Sequence, residues 1–222
     1  MQSGKLLLGI VSLVPLVLSL SVHEWAHAFA ADRLGDDTPR REGRLTFNPI
    51  PHIDLFGTVL LPLLCILSSG MVFFGWAKPV HVQPSRFRRD VTMNTGMLVT
   101  ALAGPASNIL LALLCTVLYG LGARFDALSS RPELTLLLGR MMGLNLALAL
   151  FNLIPVPPLD GSRVVDWFLP VRYQEVWLKI RHYSPLLLIG VLMAAPRILA
   201  GPLALADRVV AHLLVAVAGG GA

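Results

Sequence analysis

Leu6-Leu-Leu-Gly-Ile-Val-Ser-Leu-Val-Pro-Leu-Val-Leu-Ser-Leu-Ser-Val22 runs without a break into His23-Glu24-Trp25-Ala26-His27. An uncharged apolar run of that length is most of a membrane span. The five residues that end it spell HExxH. Residues four apart on a helix differ by about 40° around its axis, so His23 and His27 share a face and can reach one tetrahedral zinc. Glu24 falls beside that metal, placed to take a proton from an attacking water. In a soluble protein the bare motif is weak evidence. Inside hydrocarbon, ionisable groups cost several kcal/mol unless they are used, and three of them within five positions mark a functional site. A cleavable secretory signal, which Lys5, the apolar run and Ala28-Phe29-Ala30 loosely resemble, does not carry two His, a Glu and a Trp in its cleavage region.

Composition places the whole chain in the membrane. Of 222 residues 55% are hydrophobic and 14% charged, with a mean hydropathy of +0.70, too apolar for an ordinary soluble domain. The net charge of +5 raises the question of nucleic acid. The Lys and Arg residues lie in short clusters beside apolar segments, however, and read as topology signals. Cys65 and Cys115 sit inside apolar stretches with no partner spacing, as packing residues do.

The pattern predicts an all-α polytopic protein with short β elements, one integral membrane domain over 1–222 and a catalytic core over about 6–161. Segment A runs from Leu6 to Ala31, with Pro15 marking a kink or the seam of a cavity. A loop from Asp32 to Ile53 follows, rich in Arg, Gly and Pro, with a short strand expected near Arg44 to Phe47. Segment B, Leu55 to Trp76, is apolar but broken by Gly57, Pro62, Gly70 and Gly75, and a basic linker, Lys78 to Asp90, leads on. Segment C, about Thr95 to Leu121, contains Ala103-Gly-Pro-Ala-Ser-Asn108; segment D, about Leu134 to Pro155, ends in Asn152-Leu-Ile-Pro-Val-Pro-Pro-Leu-Asp-Gly161. Arg163 to His182 reads as interfacial, and Pro185 to Val217 as one or two further spans or a hairpin.

HExxH needs a third zinc ligand. His52, Asp54 and Asp160 are the candidates. Asp160 is preferred because the stiff Pro155-Val-Pro-Pro158 stretch presents it at a fixed place, although a turn or helix cap before Gly161 also uses an aspartate. His52 and Asp54 suit loop structure or the orientation of a ligand. An asparagine near the scissile carbonyl can stabilise the charge that hydrolysis puts on its oxygen, which makes Asn152 a candidate, with interhelical hydrogen bonding as the other use. At Asn108, in a run of small residues, interhelical bonding is favoured.

Taken together, His23-Glu-x-x-His27, Ala103-Gly-Pro-x-x-Asn108 and Asn152 to Gly161 resemble the site-2 protease family of intramembrane zinc metalloproteases. Arg44-Leu-Thr-Phe-Asn-Pro-Ile-Pro-His-Ile-Asp54 and Gly75-Trp-Ala-Lys-Pro-Val80 resemble a compact prokaryotic branch lacking PDZ and CBS domains. The resemblance implies that His23, His27 and Asp160 bind one zinc, that Glu24 is the catalytic base and that Asn152 assists substrate or transition-state binding. The rival is a catalytically silent membrane-protein binder or chaperone-like protein of the same fold.

A shared zinc constrains topology. His23 and His27 lie near the C-terminal end of A and Asp160 beyond the C-terminal end of D, so A and D run the same way. An even number of crossings must therefore come before D. The loops on either side of B each hold four Lys or Arg, Arg33, Arg40, Arg41 and Arg44 before it and Lys78, Arg86, Arg88 and Arg89 after it, which puts both on the cytoplasmic face. Segment B is therefore expected to be re-entrant. The expected location is a cell (inner) membrane, with the active site near its cytoplasmic side. The expected partners are the lipid bilayer and a transmembrane protein substrate, and no nucleic acid.

Overall fold

Four long apolar helices make up the body of the protein. The computed structural model describes residues 2–69 and 75–219, with side chains over 13–68 and 75–219. The four are α1 (Gln2–Arg33), α4 (Met93–Arg124), α5 (Pro132–Asn152) and α8 (Ser184–Ala218), each long and apolar enough to cross a bilayer. Between them lie the shorter α2 (Thr38–Arg41), α3 (Leu61–Ser69), α6 (Gly161–Phe168) and α7 (Gln174–His182).

Stripes of polar and small or apolar residues at every fourth position hold three of the long helices together. Ser19, His23 and His27 on α1, Thr100, Gly104 and Asn108 on α4, and Met141, Asn145 and Ala149 on α5 form three stripes, all buried or at a glycine, that meet along one seam. His27 pairs with Thr100 and His23 with Asn108, so α4 runs antiparallel to α1. Asn108 pairs with Asn145, and Asn145 with Ser19; the short turn over residues 125–131 folds α5 back along α4, so α5 runs antiparallel to α4 and parallel to α1. A and D thus have the common direction that a shared metal requires. Leu16 and Leu20 of α1 close the seam against Leu144 and Leu148 of α5.

Segment B starts as a wide π-helical stretch, Leu55–Leu60, and continues as α3. Asp54 starts it by accepting hydrogen bonds from the amides of Phe56 and Gly57. Residues 70–74 of the segment lie outside the described residues. At Gly75 the chain is back beside its starting point: the Trp76 amide donates to the Gly57 carbonyl at 3.1 Å, the Thr58 hydroxyl to the Trp76 carbonyl at 2.7 Å and the Lys78 amide to the His52 carbonyl at 2.8 Å. Both ends of B are therefore on one side, as a re-entrant segment requires. The return is close enough that a Cβ on Gly57 would lie 2.3 Å from the Trp76 ring. The two basic loops are also joined, by the Arg88 amide on the Leu34 carbonyl at 2.8 Å.

One expectation is corrected. No β element is found among the described residues. Near Arg44 to Phe47 the chain is bent, because Arg44 is buried with its guanidinium on the Pro51 and Lys78 carbonyls. Residues 75–83 are extended up to a turn at Pro84–Arg86, but their amides go to the Gly57 and His52 carbonyls and to side chains instead of a neighbouring strand. Of the alternatives for the tail, one further span is found, the single helix α8, which continues through Pro196 and Pro202. Its Val191 and Leu199 pack on Ile154 and Leu159, next to Asp160, and its Val217 lies against Gly120 at the far end of α4. The interfacial stretch is two helices, α6 and α7, joined where Asp166 accepts from Arg163, Trp177 and Arg181.

Candidate active site

His23 Nε2, His27 Nε2 and Asp160 Oδ2 converge. The separations are 3.0 Å between the histidines, 3.2 Å from His23 to Asp160 and 3.4 Å from His27 to Asp160. Ligands about 2.1 Å from a tetrahedral zinc stand about 3.4 Å apart, so the triangle has the size such an ion needs.

The protonation pattern fits a cation as well. His27 Nδ1 is 2.7 Å from the Thr100 carbonyl oxygen, which can only accept, so Nδ1 carries the hydrogen and Nε2 offers a lone pair. His23 Nδ1 is 2.5 Å from Asn108 Oδ1, and the Asn108 amide donates in turn to Asn145 Oδ1 at 2.7 Å. The Asn145 amide is itself fixed by Ser19 Oγ at 2.9 Å and the Met141 carbonyl at 2.8 Å. His23 is thereby held in the same tautomer. Asp160 Oδ2 is buried with no hydrogen-bond donor of its own. Two lone pairs and an anion pointing at one another form a group that could hold a metal ion, and the donor types fit zinc.

Local sequence explains each placement. Gly104 is where α4 crosses the histidines: a Cβ there would lie 2.4 Å from His27 Nε2 and 2.6 Å from His23 Cε1. Pro105 has no amide to give the Ala101 carbonyl one turn back, next to the Thr100 carbonyl that faces His27. In Ala103-Gly-Pro-x-x-Asn108 the glycine admits the rings and the asparagine orients one of them. Asp160 stands just before α6 but its side chain makes no capping bond. Its loop is instead anchored by Ile154 and Leu159 under α8, leaving the carboxylate to the histidines.

Glu24 is buried beside this cluster. Its Oε2 accepts from the Val80 amide at 3.1 Å and lies 3.9 Å from the Arg44 guanidinium. The site opens into a cavity of about 1140 Å³ between α1, α5, α8 and the extended segment, with walls that include Leu16, Leu144, Leu148 and Leu192. Pro15 lies on that wall, as does Asn152, whose amide donates to the Leu148 carbonyl of its own helix at 3.0 Å.

The other ligand candidates lie elsewhere. His52 is buried in its loop with Nε2 on the Thr46 carbonyl, and burial pulls its proton affinity below the ordinary imidazole value. Asp54 is spent on the start of segment B. Thr100, Asn145, Ser19 and Arg44 were not singled out from sequence as parts of the site. For Asn145 a signal existed, since a lone asparagine in an apolar span needs a partner there. For Thr100 there was none, because the contact uses its backbone.

The profile of peptidase family M50 matches residues 126–195, which include Asn152 to Gly161. YwhC of Bacillus subtilis (strain 168), which carries the name of a candidate zinc metalloprotease, is 38% identical over 175 residues, 77% of this chain and 74% of its own length. The chain belongs to peptidase family M50. Two mycobacterial proteins of the same descriptive name, Rip2 from Mycolicibacterium smegmatis and Rip2 from Mycobacterium tuberculosis H37Rv, are 31% and 29% identical over 81% of this chain. The M50 chain spans 65% of each of these two relatives, slightly under two thirds. No solved structure matches it. As an M50 member it is a site-2-type zinc metalloprotease, and its four apolar helices make it a multi-pass membrane protein.

Proposed function

We propose that this M50 chain is an intramembrane endopeptidase that holds one zinc ion with His23, His27 and Asp160 and cuts within or near the transmembrane segments of other membrane proteins, as in regulated intramembrane proteolysis. The observation that carries the reading is the convergence of two histidine lone pairs and a carboxylate at an apolar cavity inside a helical bundle. When bound, the ion supplies a Lewis acid for the scissile carbonyl and acidifies water. Glu24 takes the proton of the attacking water and passes it to the leaving amine. Asn152 keeps one amide hydrogen on Leu148 O and turns the second toward the oxygen that becomes charged. Asn108 holds the His23 ring. The apolar walls exclude bulk water and admit an unwound segment of substrate, since a hydrogen-bonded helix hides its carbonyls.

Extended substrate docks along residues 76–82. The Trp76, Lys78 and Val80 amides are used on the Gly57 and His52 carbonyls and Glu24, and residues 75–77 and 79–82 line the cavity, so an extended substrate would lie against this segment, with Pro79 interrupting the donors of its open edge. Arg44 to Phe47 offers no comparable edge, since its backbone is bent and Arg44 is engaged with the Pro51 and Lys78 carbonyls.

Cleavage of a single-span substrate in liposomes tests the reading, with zinc measured on the same preparation. Cutting that a chelator abolishes and zinc restores is expected. Stoichiometric zinc with no cutting of any single-span substrate would instead favour the silent binder.

The reading includes a site near the cytoplasmic side of a cell membrane, supported by the eight Lys and Arg of the two linked loops. Single cysteines at Arg41 and Arg88, with Cys65 and Cys115 replaced, should both be shielded from an impermeant thiol reagent in intact cells and react after permeabilisation. Labelling of either from outside would reverse the orientation or make B a span.

A further inference from the structure

Arg44 differs from the other arginines of its loop. Arg40 and Arg41 expose 68% and 54% of their side chains, whereas Arg44 exposes 4%. A charge that only sets topology stays in water, so burial calls for another reason. The guanidinium reaches three elements at once. Nη1 donates to the Pro51 carbonyl, Nη2 to the Lys78 carbonyl, and Nη2 lies 3.9 Å from Glu24 Oε2. Those partners belong to the loop before segment B, the extended segment after it, and α1.

We propose that Arg44 is a positioning residue: it fixes the loop ending at His52 to the cavity-lining segment at Lys78, and so keeps the Val80 amide on Glu24. This rests on the reading of Glu24 as the base. The Lys78 amide on the His52 carbonyl and Arg44 on the Pro51 and Lys78 carbonyls together tie the two strands of chain at one level. In extended backbone, amides two residues apart point the same way, so holding Lys78 aims Val80. Val80 and Arg44 both approach Oε2 of Glu24, which leaves Oε1 for the proton. A planar guanidinium spreads its donors in a rigid fork that spans two carbonyls and faces a carboxylate, whereas an ammonium gathers its three donors at one point. Removing Arg44 thus loosens the base and the substrate-lining edge in one step, without touching the zinc ligands.

The test uses the full chain in nanodiscs, with Arg44→Lys and Arg44→Ala. Two quantities are read: amide exchange over residues 75–83 and the kinetics of single-span substrate cleavage. In both variants zinc stays stoichiometric and exchange across α4 and α5 stays as in wild type, which certifies the fold. Exchange at Val80 rises and kcat falls by at least about tenfold, a typical cost of losing a residue that orients a site. Guanidinium ion at tens of millimolar restores part of kcat to Arg44→Ala and none to Glu24→Gln. Unchanged Val80 exchange, or unchanged kcat in an active preparation, overturns the proposal. If wild type cuts no substrate while Arg44→Lys still frees Val80, the positioning holds and it is the peptidase reading that fails.

Discussion

Glu24→Gln keeps stoichiometric zinc and loses hydrolysis by about 10²–10⁴-fold, the range expected when a general base is removed. Glutamine preserves the shape of the side chain, and its amide oxygen can still accept from the Val80 amide as Glu24 Oε2 does at 3.1 Å. It cannot take a proton from water. His23, His27 and Asp160 are untouched, so metal content separates this loss from a loss of the ion. The measurement is zinc by elemental analysis beside single-turnover cleavage of a single-span substrate. Activity equal to wild type would remove Glu24 from the mechanism.

Asp160→Ala gives the second large effect, on metal. It removes the only carboxylate of the triangle and leaves two imidazoles, so zinc should be lost on dialysis under conditions where wild type retains it. His52→Ala and Asp54→Ala should keep their zinc, because these side chains bond the Thr46 carbonyl and the Phe56 and Gly57 amides. They should show instead as lower thermal stability, with Asp54→Ala costing about 1 kcal/mol for the lost cap. Were the order reversed, the third ligand would belong to the first loop, and the common direction of α1 and α5 would lose its functional explanation.

The two effects draw on different kinds of information. Glu24 could be read from the chain because His23, Glu24 and His27 are neighbours on one helix, where the spacing alone sets geometry. The Asp160 preference needed a stiff proline stretch and a family resemblance, since 133 positions separate it from His27. The structure brings them within 3.4 Å by running α5 parallel to α1 and pinning Ile154 and Leu159 under α8.

Apolar run length determined the number and rough bounds of the early membrane segments, because a bilayer of fixed thickness admits few solutions. Broken apolar pattern and flanking charge likewise made segment B re-entrant before any contact was known. The sequence left open whether Pro196 and Pro202 end a helix, and packing against α4 and α5 carried α8 through both. A strand at Arg44 had local propensity in its favour, but the burial of one guanidinium against two carbonyls bent the chain instead. Local spacing fixes what one helix presents. Which atoms support it was settled only in three dimensions, because His27 is oriented by a backbone carbonyl and His23 through a chain of two asparagines from different helices. Such contacts depend on how far each helix slides along the next, and no single segment records that.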